Sequence, residues 1–236
     1  MANIVRQHAS GNDPIRLPAA FNATGNWSDP VTSGHNGSIL ACNSCNTRRI
    51  LLATRHSSVL VLGSAGFVGA RLCQQLAADS CKVHALGRSE THGLRNGINH
   101  VRGSIEDRQL LRAVLAECEK VVYCAAMTTP GTSATDPALE VVGNLLPLAR
   151  LLELAPEFDK RHIVYLSSGG AIYGDGSECA SESDALRPRS YYGAGKAAAE
   201  AMLSACVASS SWSATILRPS NLYGPGQPAS KGFAIV

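Results

Sequence analysis

Residues 59–72 read VLVLGSAGFVGARL. A short apolar run ends at Leu62, three glycines follow (Gly63, Gly66, Gly69), and an apolar pattern of helical spacing begins at Phe67. The stretch predicts a strand that passes through a glycine turn into a helix. In such a turn one glycine bends the chain tightly, one lets backbone approach a pyrophosphate, and one packs helix against strand. The helix N-terminus beyond the turn presents free N–H groups to phosphates. Glycine spacing alone is a weak signal, and the strand before and helix after are what strengthen it. Gly63, Gly66, Phe67, Val68 and Gly69 are therefore candidate dinucleotide-binding residues.

Downstream, CKVHALG, NHVRGS, KVVYCAA, RHIVYLSS and SATILRPSN read as further strands. DRQLLRAVLAEC, DPALEVVGNLLPLARLLELA and the stretch after Ser190 read as helices between them. Strands alternating with helices predict a parallel sheet covered on both faces. Nearly continuous apolar runs fit strands buried on both sides. In the long helix Asp136 caps, Pro137 takes the first position, and Pro147 denies a hydrogen bond to the Gly143 carbonyl, so a break is expected there. Upstream, residues 1–57 are rich in Asn, Ser, Gly, Thr and Pro without sustained periodicity, and are expected to be a disordered extension. The domain is thus expected to span residues 58–236.

The 236 residues carry a net charge of +3, and all of it lies in residues 1–57. A neutral domain lacks the clustered basic charge that nucleic-acid binding needs. No window reaches the roughly 18 apolar residues of a membrane span, and MANIVRQHAS lacks the apolar core of a secretory signal. Six of eight cysteines are scattered singly, several within apolar runs where a thiol acts as a small hydrophobe, which suits a reducing cytoplasm. Cys42 and Cys45 form one CNSC pair with no further ligands nearby, so no metal site is predicted.

Where the second strand ends, an acid usually holds the adenosine ribose. Here the residues are Gly87, Arg88 and Ser89. The planar fork of Arg88 matches a 2′-phosphate, which leans the cofactor toward NADP over NAD. A surface arginine stacked on adenine would accept either.

In SYYGAGK, residues 190–196, Tyr192 and Lys196 stand four apart and share a helix face, whereas Tyr191 and Lys196 do not. A phenol titrating near 10 is a poor base at neutral pH. A nearby ammonium would favour the phenolate, as would a positive nicotinamide ring.

Taken together, LGSAGFVG, YCAAM, LSSGGAIYG, YYGAGK and LRPSNLYGPGQ resemble, in order and spacing, the extended short-chain dehydrogenase/reductases, and within them the nucleotide-sugar epimerase/dehydratase family. The resemblance covers about residues 58–236. It implies a Rossmann-like, doubly wound α/β sheet. It also implies that Tyr192 exchanges a proton with a sugar hydroxyl while Lys196 holds the nicotinamide ribose. Many relatives carry Ser or Thr four residues before the tyrosine matched here by Tyr173; this chain has Gly169, and Ser168 is the substitute, for catalysis and for substrate binding. Ala125, Ala126 and Thr128 match a cofactor-contacting segment, Ser104 replaces an acid that usually meets adenine, and Pro219 lies in the last cofactor motif. Asn144 matches an asparagine near the active site, and Asn221 one that contacts the nucleotide-sugar.

The leading expectation is an NAD(P)-dependent nucleotide-sugar 4-epimerase. A 4,6-dehydratase would carry an Asp-Glu pair where Gly170 and Ala171 stand, while a reductase stays open. Relatives continue well beyond RPSNLYGPGQ to build a substrate lobe, and this chain stops at Val236. That lobe is expected to be largely missing, so a non-catalytic dinucleotide-binding protein is the rival from another class. Dimerisation through two long helices is common in the family, so a homodimer is the expected assembly to test.

Overall fold

The structure is a computed structural model that describes residues 2–7, 57–89, 97–175, 180–224 and 227. Each predicted strand of residues 58–236 forms. β2 (Ser58–Leu62), β3 (Lys82–Gly87), β4 (Ile98–Arg102), β5 (Lys120–Tyr123), β6 (His162–Leu166) and β7 (Ser213–Pro219) pair in parallel. Their order across the sheet is β7-β6-β5-β2-β3-β4. The chain moves outward from β2 to β3 and β4, then returns to β5 on the other side. Between β2 and β5 the winding therefore reverses, and in open α/β sheets such a switch point opens a crevice at the carboxyl ends of the strands.

The runs are apolar on both faces because both faces are covered. On one side Val59, Val61, Val83, Ala85, Val122 and Val164 pack with Cys73 and Leu76 of α1 (Phe67–Ala78). On the other, Leu60, Leu62, Val121, Ile163 and Ile216 meet three helices: α2 (Arg108–Ala116), α4 (Leu146–Leu152) and α6 (Tyr191–Ser209). The thiols buried here are inert. Burial pushes Cys73, Cys118 and Cys124 up to about 12. Cys42 and Cys45 lie outside the described residues.

The break expected at Pro147 is a π turn. Pro137–Glu140 form one helical turn, α3, Val141–Leu145 wind as π-helix, and α4 then starts with Pro147 in its first turn. A proline has no N–H to donate, and the wider turn absorbs the lost bond.

One strand was not legible in the sequence. Ala2–Gln7, inside the stretch expected to be disordered, form β1, which pairs antiparallel with β7 from Ala2–Pro219 to Gln7–Ala214. The outer edge of β7 supplies the hydrogen bonds that the polar composition gave no sign of. Residues 8–56 lie outside the described residues.

Helix α6 is fastened to β7 by a buried ion pair. Arg218 Nε and Nη2 donate to the two carboxylate oxygens of Glu200 at 3.1 and 2.6 Å. The remaining Arg218 nitrogen donates to the Tyr173 hydroxyl at 2.7 Å and the Glu182 carbonyl at 3.0 Å. Removing one partner of such a pair strands a buried charge. Arg218→Met is expected to lose about 3–5 kcal/mol in urea unfolding, while the double variant with Glu200→Leu recovers much of it. Deleting residues 1–10 bares the β7 edge and is expected to raise self-association by edge pairing, read by sedimentation velocity.

Candidate functional site

The glycine turn sits at the mouth of the crevice. Gly63 has φ +84°, which L side chains rarely adopt, and a Cβ there would lie 2.6 Å from the Ala125 backbone nitrogen. On Gly69 a Cβ would come within 2.2 Å of the Gly63 carbonyl oxygen. These contacts press β2, α1 and the segment after β5 together, backbone to backbone. Gly66 caps α1 with no side-chain hydrogen bond, so the first N–H groups of the helix keep their capacity for an anion. Phe67 and Val68, half-buried, open that helix. A cradle with no room for side chains and a helix N-terminus with none to satisfy it fits a dinucleotide pyrophosphate.

The other cofactor candidates ring this cradle, with differing freedom. Arg88 is exposed past the end of β3, its Nη1 3.8 Å from the sulfur of Met127. Ser104 accepts from the Glu106 N–H at 3.2 Å, so its hydroxyl already has a local partner. Ala125 is half-buried and Ala126 exposed along the segment after β5. Thr128 is buried, and its hydroxyl donates to Glu140 and accepts from Asn144 Nδ2 at 2.6 Å. The Thr128 side chain thus serves the protein interior. Pro219 is buried at the end of β7, and Asn221 is exposed just beyond it.

The choice between the two tyrosines resolves by position. Ser190 caps α6, accepting from the Gly193 N–H at 3.0 Å, and that register leaves Tyr191 49% exposed while Tyr192 turns inward. Lys196, 5% exposed, donates to the Leu166 carbonyl at 2.8 Å and the Tyr165 hydroxyl at 3.4 Å. Its ammonium stands 5.7 Å from the centre of the Tyr192 ring and 4.9 Å from that of Tyr165. Burial pulls Lys196 down to about 8, with Glu140 the leading influence in the other direction. Burial also raises the Tyr192 phenol, a rise that hydrogen bonding to Ser168 opposes and Glu140 reinforces. The phenol is therefore not lowered in the protein alone: desolvation outweighs the hydrogen bonding to Ser168, and the ammonium that the spacing pointed to is not among the leading influences.

Ser168 and Tyr192 are brought together, and Gly169 shows why. A Cβ at 169 would lie 2.7 Å from the Arg218 carbonyl, so β7 packs where a side chain would begin. Ser168, at the N-terminus of α5 (Gly169–Ile172), is the hydroxyl on this strand end that reaches the phenol. Asn144, in the π turn, accepts from the Met127 N–H at 2.8 Å and donates to Glu140 Oε1 at 2.8 Å. It anchors the segment carrying Thr128, a positioning role.

Sequence reasoning missed the buried charges around the pair, Glu140, Glu200 and Arg218, and the buried Tyr165 hydroxyl. Charged residues at helical spacing ordinarily face water, so nothing local marked them as interior. Among the described residues no group of three metal-ligating side chains gathers, and no helix is long and apolar enough to cross a membrane.

Comparison with known proteins agrees with the fold. The UDP-glucose 4-epimerase of Mycolicibacterium smegmatis is 34% identical over 179 residues, covering 71% of this chain and 57% of the relative. The UDP-glucose 4-epimerase of Thermotoga maritima, solved with UDP-glucose, superposes with a TM-score of 0.69 at 27% identity, over 75% of this chain and 59% of that one. That of Thermus thermophilus, solved with NAD, gives 0.64 at 33% identity over 72% and 57%. The chain thus spans a little over half the length of these relatives. The cofactor named there is NAD, and the comparisons give no support to the lean toward NADP. Residues 59–235 match the model of the NAD dependent epimerase/dehydratase family, and the chain belongs to that family.

Proposed function

We propose that this chain is the cofactor-binding and proton-transferring part of a nucleotide-sugar 4-epimerase. The observation that carries the reading is the convergence of Ser168, Tyr192 and Lys196 beside a side-chain-free cradle at the sheet's switch point. Gly63, Gly66 and Gly69 would admit the pyrophosphate, the N-terminus of α1 would meet its charge, and Lys196 would hold the nicotinamide ribose. A bound nicotinamide would supply a hydride acceptor and donor for the sugar carbon C4.

Tyr192 would take the proton from the 4-hydroxyl and return it after the sugar has turned. Ser168 would hold the same oxygen, since its hydroxyl already lies against the phenol. Burial has raised that phenol, so the residue needs positive charge close by to act as a base near neutral pH. Lys196 provides one such charge. Asn221, exposed at the end of β7, would meet the nucleotide-sugar from the other side.

Two features separate this reading from its relatives in the family. Gly170 and Ala171 follow Ser168 and Gly169, and neither carries an acid or base for eliminating water. Gly87 offers no carboxylate to a ribose, and Arg88 beside it is exposed to meet an adenine face or a phosphate. The cofactor is proposed to be a nicotinamide dinucleotide, with NAD in the relative's position.

Tyr192→Phe is expected to keep dinucleotide affinity within about twofold and to lower UDP-sugar epimerisation about 10²–10⁴-fold, the usual worth of a positioned acid–base group. Unchanged turnover would reject the mechanism. Calorimetric titration with NADH and NADPH checks the cradle separately, and Arg88→Ala is expected to weaken the phosphorylated cofactor more than the other. Equal loss for both would make Arg88 an adenine contact only. Binding of neither cofactor would reject the cradle.

A further inference from the structure

Beneath the reactive pair lies a carboxylate that the proposed reaction leaves unused. Glu140, at the end of α3, is 3% exposed. Its hydrogen-bond donors are the Thr128 hydroxyl and Asn144 Nδ2, and both are neutral. A carboxylate out of water with neutral partners is costly, so a structure that holds one must gain elsewhere. What it gains is shown by the helix opposite. Gly195, the residue immediately before Lys196, has a buried open side, and a Cβ there would fall 2.3 Å from Glu140 Oε1 and 2.6 Å from its Cγ. The carboxylate occupies the volume that a side chain at 195 would fill.

The other ionisable groups around Lys196 do not offer the same charge. Tyr165 on β6, with the ring of Tyr123 of β5 tilted against it at 5.6 Å, is a neutral phenol held well above its ordinary range by burial. Cys124, after β5, is a neutral thiol pushed up to about 12. Tyr192 on α6 is likewise raised. Glu200, also on α6, is bound by both forks of Arg218. Glu140 is the carboxylate near Lys196 that has no cation of its own in hydrogen-bonding contact.

We propose that Glu140 is a positioning residue for Tyr192 and Lys196: seated in the gap at Gly195, it fixes the turn of α6 that carries them and is the anion that keeps the buried lysine an ammonium. The proposal rests on the reading of Tyr192 and Lys196 as the reactive pair. Through Thr128 and Asn144 the same carboxylate also ties that turn to the segment lining the cradle. Charge on Lys196 and placement of the cofactor segment thereby depend on one side chain.

The test is the titration of Lys196 in the full chain, read by NMR of ¹³C-labelled lysine side chains and assigned with Lys196→Arg. Wild-type Lys196 is expected to titrate near 8, as burial and Glu140 together set it. Glu140→Gln keeps the shape and removes the charge, and should lower that midpoint by about one unit or more. A folded Glu140→Gln protein with an unmoved midpoint overturns the proposal. If that variant does not fold, Glu140→Asp withdraws the carboxylate from Gly195 while keeping its charge. Gly195→Ala should then destabilise the Glu140 background strongly and the Asp background little. Equal destabilisation in both overturns the seat at Gly195. Neither readout uses substrate or turnover, so a retained activity in Tyr192→Phe would reject the epimerase mechanism without touching this result.

Discussion

The structure turns on a contact with no side chain in it. Gly63, at the end of β2, lies so close to the segment after β5 that a single added carbon would strike Ala125 backbone. Gly69 in turn brings the first turn of α1 onto the Gly63 carbonyl. Side chains at these points would force the strands and helix apart at the switch point. The parallel order of the sheet creates the crevice, and the missing Cβ atoms keep it narrow enough for backbone N–H groups to line it.

The same crevice has a second wall, and it is built from charge. Lys196, Glu140, Glu200 and Arg218 are all nearly out of water, within the turns of α3 and α6 and the end of β7. Their costs are met in different ways. Arg218 and Glu200 pair bidentately and lock β7 to α6. Lys196 gives its protons to the Leu166 carbonyl and a tyrosine hydroxyl. Glu140 accepts from neutral groups and leaves its charge directed at the helix turn before Lys196. Each arrangement constrains a backbone segment that borders the crevice, so the electrostatics and the shape of the site are one construction.

Most of the sheet was legible because its signals are local. The apolar runs of β2, β5 and β6 and the glycine turn need no knowledge of distant residues, and each strand formed where those runs stand. The spacing of Tyr192 and Lys196 was equally local, and the cap at Ser190 fixed which tyrosine turns inward. What the sequence concealed depends on partners far along the chain. Ala2–Gln7 become a strand because β7 has an open edge more than 200 residues later. Glu140 reads as one more polar position on a capped helix, and only the meeting of α3 with Gly195 of α6 buries it. The direction of the Tyr192 shift was concealed for the same reason: spacing reveals the ammonium but not the burial that raises the phenol.

That imbalance bears on how the pair could work. A buried phenol is pushed away from being a base, and a buried lysine is pushed away from being a cation. Burial thus favours the neutral form of both groups. A carboxylate placed against the lysine's turn partly offsets burial, which still holds the lysine down to about 8, and it also opposes the phenolate. The two influences come from different places: hydrogen bonding to Ser168 opposes the rise of the phenol, while Glu140 sits against the gap at Gly195. The phenol then lacks only a positive charge on its open face. A bound oxidised nicotinamide would supply such a charge, with Lys196 holding its ribose and Tyr192 and Ser168 facing the sugar oxygen.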